Sequence, residues 1–350
     1  MGKTDLKSLN MDELTDYVEE IGEKKFRAKQ IYDWLHVKLV DDTSDMTNLS
    51  KNLKQEIETR SHLTNLKLVE KLENESKDTS KYLFKLYDGN VVESVLMKYR
   101  HGNSVCISSQ VGCKMGCKFC ASTIGGLERN LSPGEMLDQV YKIQKDSGER
   151  VSNLVVMGTG EPLDNYDNLL KFIEMLTDEH GLNISGRNIT VSTCGLVDKI
   201  YDLAKEKLQI TLAISLHAAN DELRKQIMPI ANAYSVDELI EACKHYFENT
   251  GRRITFEYSL IDGVNDKKKH AHELAKKIKS LNCHVNLIPV NPIKERDYKH
   301  STPSQVVEFK NILEKYPINV TIRREMGTDI DAACGQLRKS YIDMSTKDED

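Results

Sequence analysis

Three of the eight cysteines fall within eight residues, as Cys113, Cys117 and Cys120 in Gly112-Cys113-Lys114-Met115-Gly116-Cys117-Lys118-Phe119-Cys120. The spacing is C-x3-C-x2-C. Thiolate sulfur is a soft donor suited to iron, and three thiolates on one short loop can hold three corners of a cubic iron–sulfur cluster. Three ligands instead of four leave one iron open to a small molecule. Gly112 and Gly116 let such a loop fold tightly. Zinc is the rival, but its structural sites ask for four closed ligands in paired C-x2-C units, and the chain has no partner pair. The expectation is one [4Fe-4S] cluster on Cys113, Cys117 and Cys120.

A second set of chemistry-bearing residues sits where apolar, β-rich runs end. Gly158-Thr159-Gly160-Glu161-Pro162 follows the run 154–157. Glycine lets backbone approach a ligand, and a carboxylate there can bind an ammonium group. A dinucleotide fingerprint would put its third glycine at Leu163, so that reading fails. Losing a side chain from such a loop is expected to cost little stability. Ser192-Thr193, Ser215-Leu216-His217 and Asn291-Pro292 close other runs. Taken singly, each is an ordinary turn or strand-end residue. Their common address makes Gly160, Glu161, Ser192, Ser215, Leu216, His217 and Asn291 candidate ligand contacts. Two lone cysteines remain of interest: Cys334, among small neighbours in Ala332-Ala333-Cys334-Gly335, and Cys106, near the start of the first strand of the repeating part. Each alone reads first as an inert buried thiol. Cys243, on an apolar helix face, and Cys283, at a helix end, read as structural, while Cys194 stays open. Glu93 alone reads as a surface strand carboxylate.

The elements that must position these groups come in two textures. The first 80 residues read as helical and charged. Met11, Leu14, Tyr17, Val18 and Ile21 form one helical stripe capped by Asn10; Ala28, Ile31, Trp34 and Leu35 form another, opened by Lys24, Lys25, Arg27 and Lys29. That basic patch suits phosphate, although a solvated helix face explains it first. Runs 81–87 and 91–98 flank Asp88-Gly89-Asn90, a hairpin signal. From about residue 104, β-rich runs at 105–109, 154–157, 189–192, 210–215, 254–260, 285–289 and 320–322 alternate with helical patterns. Such alternation implies parallel strands joined by helical crossovers. Six or seven units are too few to close a barrel. The expected fold is α/β: an open, partial β/α barrel with its ligand site at the strand C-termini. The expected divisions are 1–80, an N-terminal helical accessory domain; 81–103, a hairpin linker carrying Glu93; 104–326, the barrel; and 327–350, a segment carrying Cys334.

Composition sets the outer bounds. The chain has 350 residues, 39% hydrophobic, with 49 Lys+Arg against 54 Asp+Glu for a net charge of −5. That excludes collagen-like, wholly disordered and disulfide-stapled classes. It also argues against a uniformly basic nucleic-acid binder while leaving room for local patches. No run approaches the roughly 18 apolar residues of a membrane span. The start, MGKTDL, lacks an apolar signal core, and Leu6 stands where a myristoylation motif needs Ser or Thr. Cysteines without a secretion signal point to a reducing compartment. A soluble, cytoplasmic protein without membrane contact is the expectation.

The cysteine motif at the end of a first barrel strand, with Phe119 before its third cysteine, resembles the radical S-adenosylmethionine (SAM) superfamily. Over nearly the whole chain, CISSQVGCKMGCKFCAST, MGTGEP, ISLHA, LIPVNP, GTDIDAACGQL and the N-terminal GEKKFRAKQIYDWLH resemble the dual-specificity RNA methyltransferases of the RlmN type. Sister Cfr-type enzymes methylate C8 of the same adenosine; Val111 and Ala121-Ser122-Thr123 look more like RlmN, whose target is C2. The resemblance implies a [4Fe-4S] cluster, two SAM per turnover, and SAM contacts at Gly160, Glu161, Ser192, Ser215, Leu216, His217 and Asn291. It implies that Cys334 is methylated by a first SAM and that a second yields a 5′-deoxyadenosyl radical, which activates the S-methyl group for addition to adenine. Glu93 would accept the C2 proton. Cys106 would then resolve the RNA adduct through a transient disulfide with Cys334. Implied partners are 23S rRNA, tRNA and a flavodoxin- or ferredoxin-like reductant, for a monomeric enzyme. A radical SAM activase acting on a protein, or an RNA binder with a structural cluster, would have no use for the cysteine pair.

Overall fold

The computed structural model describes residues 3–293, 295–323 and 330. Two short parallel strands, β1 (Thr4–Asp5) and β2 (Ser61–His62), bracket three helices in sequence, α1 (Met11–Glu20), α2 (Phe26–His36) and α3 (Lys51–Arg60). Asn10 caps α1 in a reciprocal box with Glu13, as its sequence promised. Four antiparallel strands follow: β3 (Lys67–Glu73), β4 (Thr79–Lys85), β5 (Val91–Tyr99) and β6 (Gly102–Ile107). A small hairpin, β7 (Gln110–Gly112) with β8 (Leu127–Asn130), leaves the end of β6 and encloses the three-cysteine loop.

From β6 onward the pairing is parallel. The strands β9 (Val151–Val156), β10 (Ile189–Thr193), β11 (Thr211–Ser215), β12 (Ile254–Leu260), β13 (Cys283–Pro289) and β14 (Asn319–Ile322) add one after another. Their crossovers carry α4 (Pro133–Ser147), α5 (Tyr166–Thr177), α6 (Val197–Lys205), α7 (Asp221–Ile227), α8 (Val236–Thr250), α9 (Lys268–Ile278) and α10 (Pro303–Glu314). The ten-stranded order is β14-β13-β12-β11-β10-β9-β6-β5-β4-β3. Among the described residues the two outer strands do not pair, so the sheet stays open, as the count of units required.

Alternation divides the parallel strands into two faces. Val105, Ile107, Leu154, Val156, Val191, Leu212, Ile214, Phe256, Tyr258, Val285 and Leu287 are buried in the main apolar core. Between them stand Ser104, Cys106, Asn153, Ser192, Ser215, Glu257 and Asn286, so the opposite face is polar. A sheet that only needed burial would be apolar on both faces. The polar inner face is the first structural sign of a ligand cavity.

Three expectations are corrected. Residues 67–73 are strand β3 rather than the end of a helical region. Their K-L-V-E-K-L-E text carries a helix-like spacing of apolar residues, but an edge strand exposes one side, and Leu68 is 46% exposed there. Cys106 is the penultimate residue of β6, not near its start, because the strand begins at Gly102. Cys283 opens β13 rather than ending a helix.

Candidate functional site

The cysteine loop is built from β7. Cys113 N–H donates to Gly126 O (2.8 Å), Cys120 N–H to Cys117 O (3.2 Å), and the Thr123 hydroxyl to Cys117 O and Cys120 O (3.2 and 2.9 Å). Gly112 and Gly116 take φ of 75° and 70°, the left-handed region glycine enters without penalty. Cys113 and Cys117 are buried in a cluster with Met115, Cys194, Ile227, Met228, Ile261 and Val290, against which Phe119 and Cys120 pack. Burial pushes the Cys113 thiol up to about 12 and raises Cys117 and Cys120 as well, and neighbouring thiols of the loop further oppose the ionisation of Cys113 and Cys117. Thiolates persist in such a place only beside compensating positive charge, which is what iron supplies. Among the described residues no three His, Cys, Asp or Glu side chains converge as a single ion would need. A four-iron cluster takes one thiolate on each of three separate irons and does not ask for that convergence. The donor set fits the group.

The loop after β9 is stitched to the end of β6. Gly158 N–H donates to Ile107 O (3.0 Å), Thr159 N–H to Ser108 Oγ (3.0 Å), and Thr159 O accepts from Ser109 and Gln110 N–H. Gly160 has φ of 110°, and a Cβ placed there would lie 2.6 Å from Gln110 Cβ. Glu161 is buried, not loosely held: its Oε1 accepts from Leu163 N–H (3.0 Å) and its Oε2 from Cys194 N–H (2.7 Å). Burial raises its pKa against those hydrogen bonds. The expectation that its side chain matters little to stability is therefore overturned.

Ser192 and Ser215 meet on the inner face, their hydroxyl oxygens 3.5 Å apart. His217 has a positive φ of 55°, and its Nδ1 accepts from Ser259 N–H (2.9 Å). Burial, with Arg224 nearby, lowers its pKa to about 3, so the ring is neutral with its proton on Nε2. Its edge meets the Phe119 ring at 4.9 Å. Leu216 is buried beside it, and Asn291 is exposed just beyond β13. Gly160, Glu161, Ser192, Ser215, Leu216, His217 and Asn291 thus all lie at or just past strand C-termini.

On the neighbouring antiparallel strands, Cys106 pairs with Val95, and Glu93 stands two residues along β5 on the same face. Glu93 is buried, its Oε1 3.8 Å from the Nζ of the equally buried Lys81, and its carbonyl accepts from Ser108 Oγ (2.8 Å). It is not the surface carboxylate that a lone reading favours. Cys334 lies outside the described residues. Among those residues no two cysteines are joined by a disulfide.

Of two further residues in this region, the sequence left Cys194 open and passed over Arg224. Cys194 joins the buried group around Cys113 and Cys117. Arg224, fully buried, donates through Nη2 to Cys194 O (2.6 Å) and through Nε to Leu216 O (3.1 Å). Its text, Asp221-Glu222-Leu223-Arg224-Lys225, reads as a charged surface helix and hides it.

Comparison with known proteins completes the picture. Residues 107–275 match the Radical SAM superfamily, and residues 4–63 match the Ribosomal RNA large subunit methyltransferase N-terminal domain. The chain is 63% identical over 347 residues to the "Probable dual-specificity RNA methyltransferase RlmN" of Lachnoclostridium phytofermentans, spanning 99% of this chain and 98% of that one. It is 64% identical over 340 residues to the protein of the same name in Lachnospira eligens, spanning 97% of each. The crystal structure of a radical SAM methyltransferase from Sphaerobacter thermophilus shares the fold with a TM-score of 0.92 at 43% identity, covering 95% of this chain and 98% of that one. Identity at this level along essentially the full length, on a sheet and cysteine loop built for the chemistry, makes this chain a radical SAM RNA methyltransferase of the RlmN family.

Proposed function

We propose that the enzyme methylates C2 of an adenosine in the peptidyl-transferase centre of 23S rRNA and of the adenosine 3′ to the anticodon in tRNAs. The observation that carries this reading is the common inner face of Glu93 and Cys106, at the end of β6 from which the cysteine loop departs. Cys113, Cys117 and Cys120 would hold the [4Fe-4S] cluster, with SAM against Gly160, Glu161, Ser192, Ser215, Leu216, His217 and Asn291. When bound, cluster and SAM together supply a 5′-deoxyadenosyl radical.

The chain's own residues do the rest. Adenine C2 is electron-poor, so a carbon radical can add where ordinary methyl transfer fails. Cys334, as thiolate, takes a methyl group from a first SAM by displacement. After a second SAM has been consumed in removing hydrogen from that methyl group, the Cys334 carbon is joined to C2. Glu93 accepts the C2 proton, a role its buried place beside Lys81 supports by excluding water. The adduct gives up its unpaired electron to the redox partner, and Cys106, as thiolate, attacks the Cys334 sulfur; the sulfur–carbon bond breaks, the freed carbon takes a proton to become the methyl group, and a transient disulfide with Cys334 remains. Residues 1–80 serve RNA contact, 81–103 carry Glu93, 104–326 form the SAM barrel and 327–350 carry Cys334. A flavodoxin- or ferredoxin-like protein donates the electrons to a monomeric, cytoplasmic enzyme; among the described residues no helix is long and apolar enough to cross a membrane. Anaerobic reconstitution with 23S rRNA fragments and tRNA, followed by nucleoside mass analysis against standards, tests the reading. 2-Methyladenosine in both RNAs is the expected product. 8-Methyladenosine would make it a Cfr-type enzyme, and absence of methylation in either RNA would overturn the proposal.

A further inference from the structure

Arg224 is a buried cation. It lies on α7, is fully shielded from solvent, and among the described residues forms no ion pair. Its hydrogen bonds all run to carbonyls at the C-terminal ends of β10 and β11: Cys194 O (2.6 Å), Leu216 O (3.1 Å) and Ser215 O (3.3 Å). Its Nη1 is buried and has no hydrogen-bond partner among the described residues. The segment around α7 also reaches the cysteine loop, for Lys118 N–H donates to Ile227 O (2.9 Å), and Pro229 lies 3.3 Å from where a Gly116 Cβ would stand.

A guanidinium buried without a carboxylate is expensive unless other negative charge offsets it. Cys194, whose carbonyl Arg224 binds at 2.6 Å, is buried in one group with Cys113 and Cys117, and Ile227, one turn along the same helix, accepts from Lys118 N–H in the cysteine loop. An iron–sulfur cluster gains negative charge when reduced. A fixed cation nearby therefore favours the reduced form, and nearby charge is one of the levers that set such potentials.

We propose that Arg224 is a positioning residue that raises the reduction potential of the cluster, as a fixed positive charge held against the buried group of Cys113, Cys117 and Cys194, while it ties the ends of β10 and β11 together. The inference rests on Cys113, Cys117 and Cys120 holding that cluster, which iron and sulfide analysis of the parent chain tests by itself. The decisive experiment is a potentiometric titration of the reconstituted full chain, read by the EPR signal of the reduced cluster. Arg224→Gln, at unchanged iron content, is expected to shift the midpoint to lower potential, and Arg224→Lys to stay near the parent. A glutamine variant with full iron at the parent's midpoint overturns the proposal, as does an equal shift in both variants, which would make geometry and not charge responsible. A purely structural role would lower iron content and melting temperature without moving the potential. If the glutamine chain does not fold, Asp221→Asn decides. Asp221 is an acidic neighbour of Arg224 whose Oδ1 accepts from Val236 N–H, a bond asparagine can keep. Its midpoint should rise, and an unchanged midpoint overturns the idea.

Discussion

At Glu161 one carboxylate accepts two backbone N–H groups and also stands where the ammonium end of SAM is proposed to bind. Two substitutions separate these roles. Glu161→Ala leaves two buried donors unpaired and should cost about 3–6 kcal/mol, since each hydrogen bond to a charged group is worth about 1.5–3. Glu161→Gln keeps one acceptor oxygen and the shape, so it should melt closer to the parent while losing at least about tenfold in SAM affinity with the charge. Calorimetric unfolding and SAM titration of both proteins check this; an alanine variant as stable as the parent would contradict the geometry. The thiols divide differently. Cys334→Ala should be inactive and never cross-link to RNA. Cys106→Ala should accumulate a covalent protein–RNA adduct, and Glu93→Ala should stall at the same stage, while Cys194→Ala stays active. Denaturing gels with labelled RNA read all four, and an adduct from Cys334→Ala would mean the sulfurs are wrongly assigned.

At the scale of elements, the loops after β6 and β9 are held by one another more than by their own strands. Gly160 shows this best, for its φ of 110° and the 2.6 Å approach of Gln110 each exclude a side chain. Gln110 is itself committed: its Oε1 accepts from Glu161 N–H (2.8 Å), and its Nε2 donates to Asn130 and Asp164. Gly160→Ala should therefore displace the β7 hairpin and the β9 loop together, destabilising the protein by roughly 1–3 kcal/mol. It should also weaken cluster retention, although it touches no cysteine. Iron analysis beside a denaturant melt tests the coupling; full iron with weakened SAM binding alone would show that the two loops move independently.

Across the whole molecule, the N-terminal helices are fastened to the barrel by buried polar contacts as well as by the shared core. Lys7 Nζ meets Asp138 Oδ1 at 2.6 Å with both side chains fully buried, and Asp138 Oδ2 accepts from Leu66 N–H. His36 on α2 shares a 2.7 Å hydrogen bond with the Tyr141 hydroxyl on α4. Burial, then Lys7, lowers the His36 pKa to about 3. An unfolded histidine takes its proton near 6.5, so on acidification the unfolded chain binds the proton first. The native state is thus at full strength above about pH 6.5 and loses up to about 1.4 kcal/mol per pH unit from this residue as pH falls toward 3. His217 adds a second loss of the same sign. Urea melts at pH 7 and pH 5 should show the parent losing more stability than His36→Gln, and equal losses would place the proton elsewhere.

What the chain determined by itself was local. C-x3-C-x2-C, Gly-Thr-Gly-Glu-Pro and the Asp-Gly hairpin are neighbours in sequence, and their chemistry follows from spacing alone. The open parallel sheet followed from the repeat of strand and helix. The tertiary structure decided what depends on distant partners. Glu161 is structural, beside its proposed ligand role, because Cys194, 33 residues away, donates to it. Glu93 is buried because its strand pairs on both sides, with Leu83 facing it and Lys81 beside it. Residues 67–73 became a strand because β4 offered an edge, although their apolar spacing suits a helix as well. Arg224 carries a buried charge that no local pattern reveals, because burial is a property of what packs around a residue and not of the residues beside it in the chain.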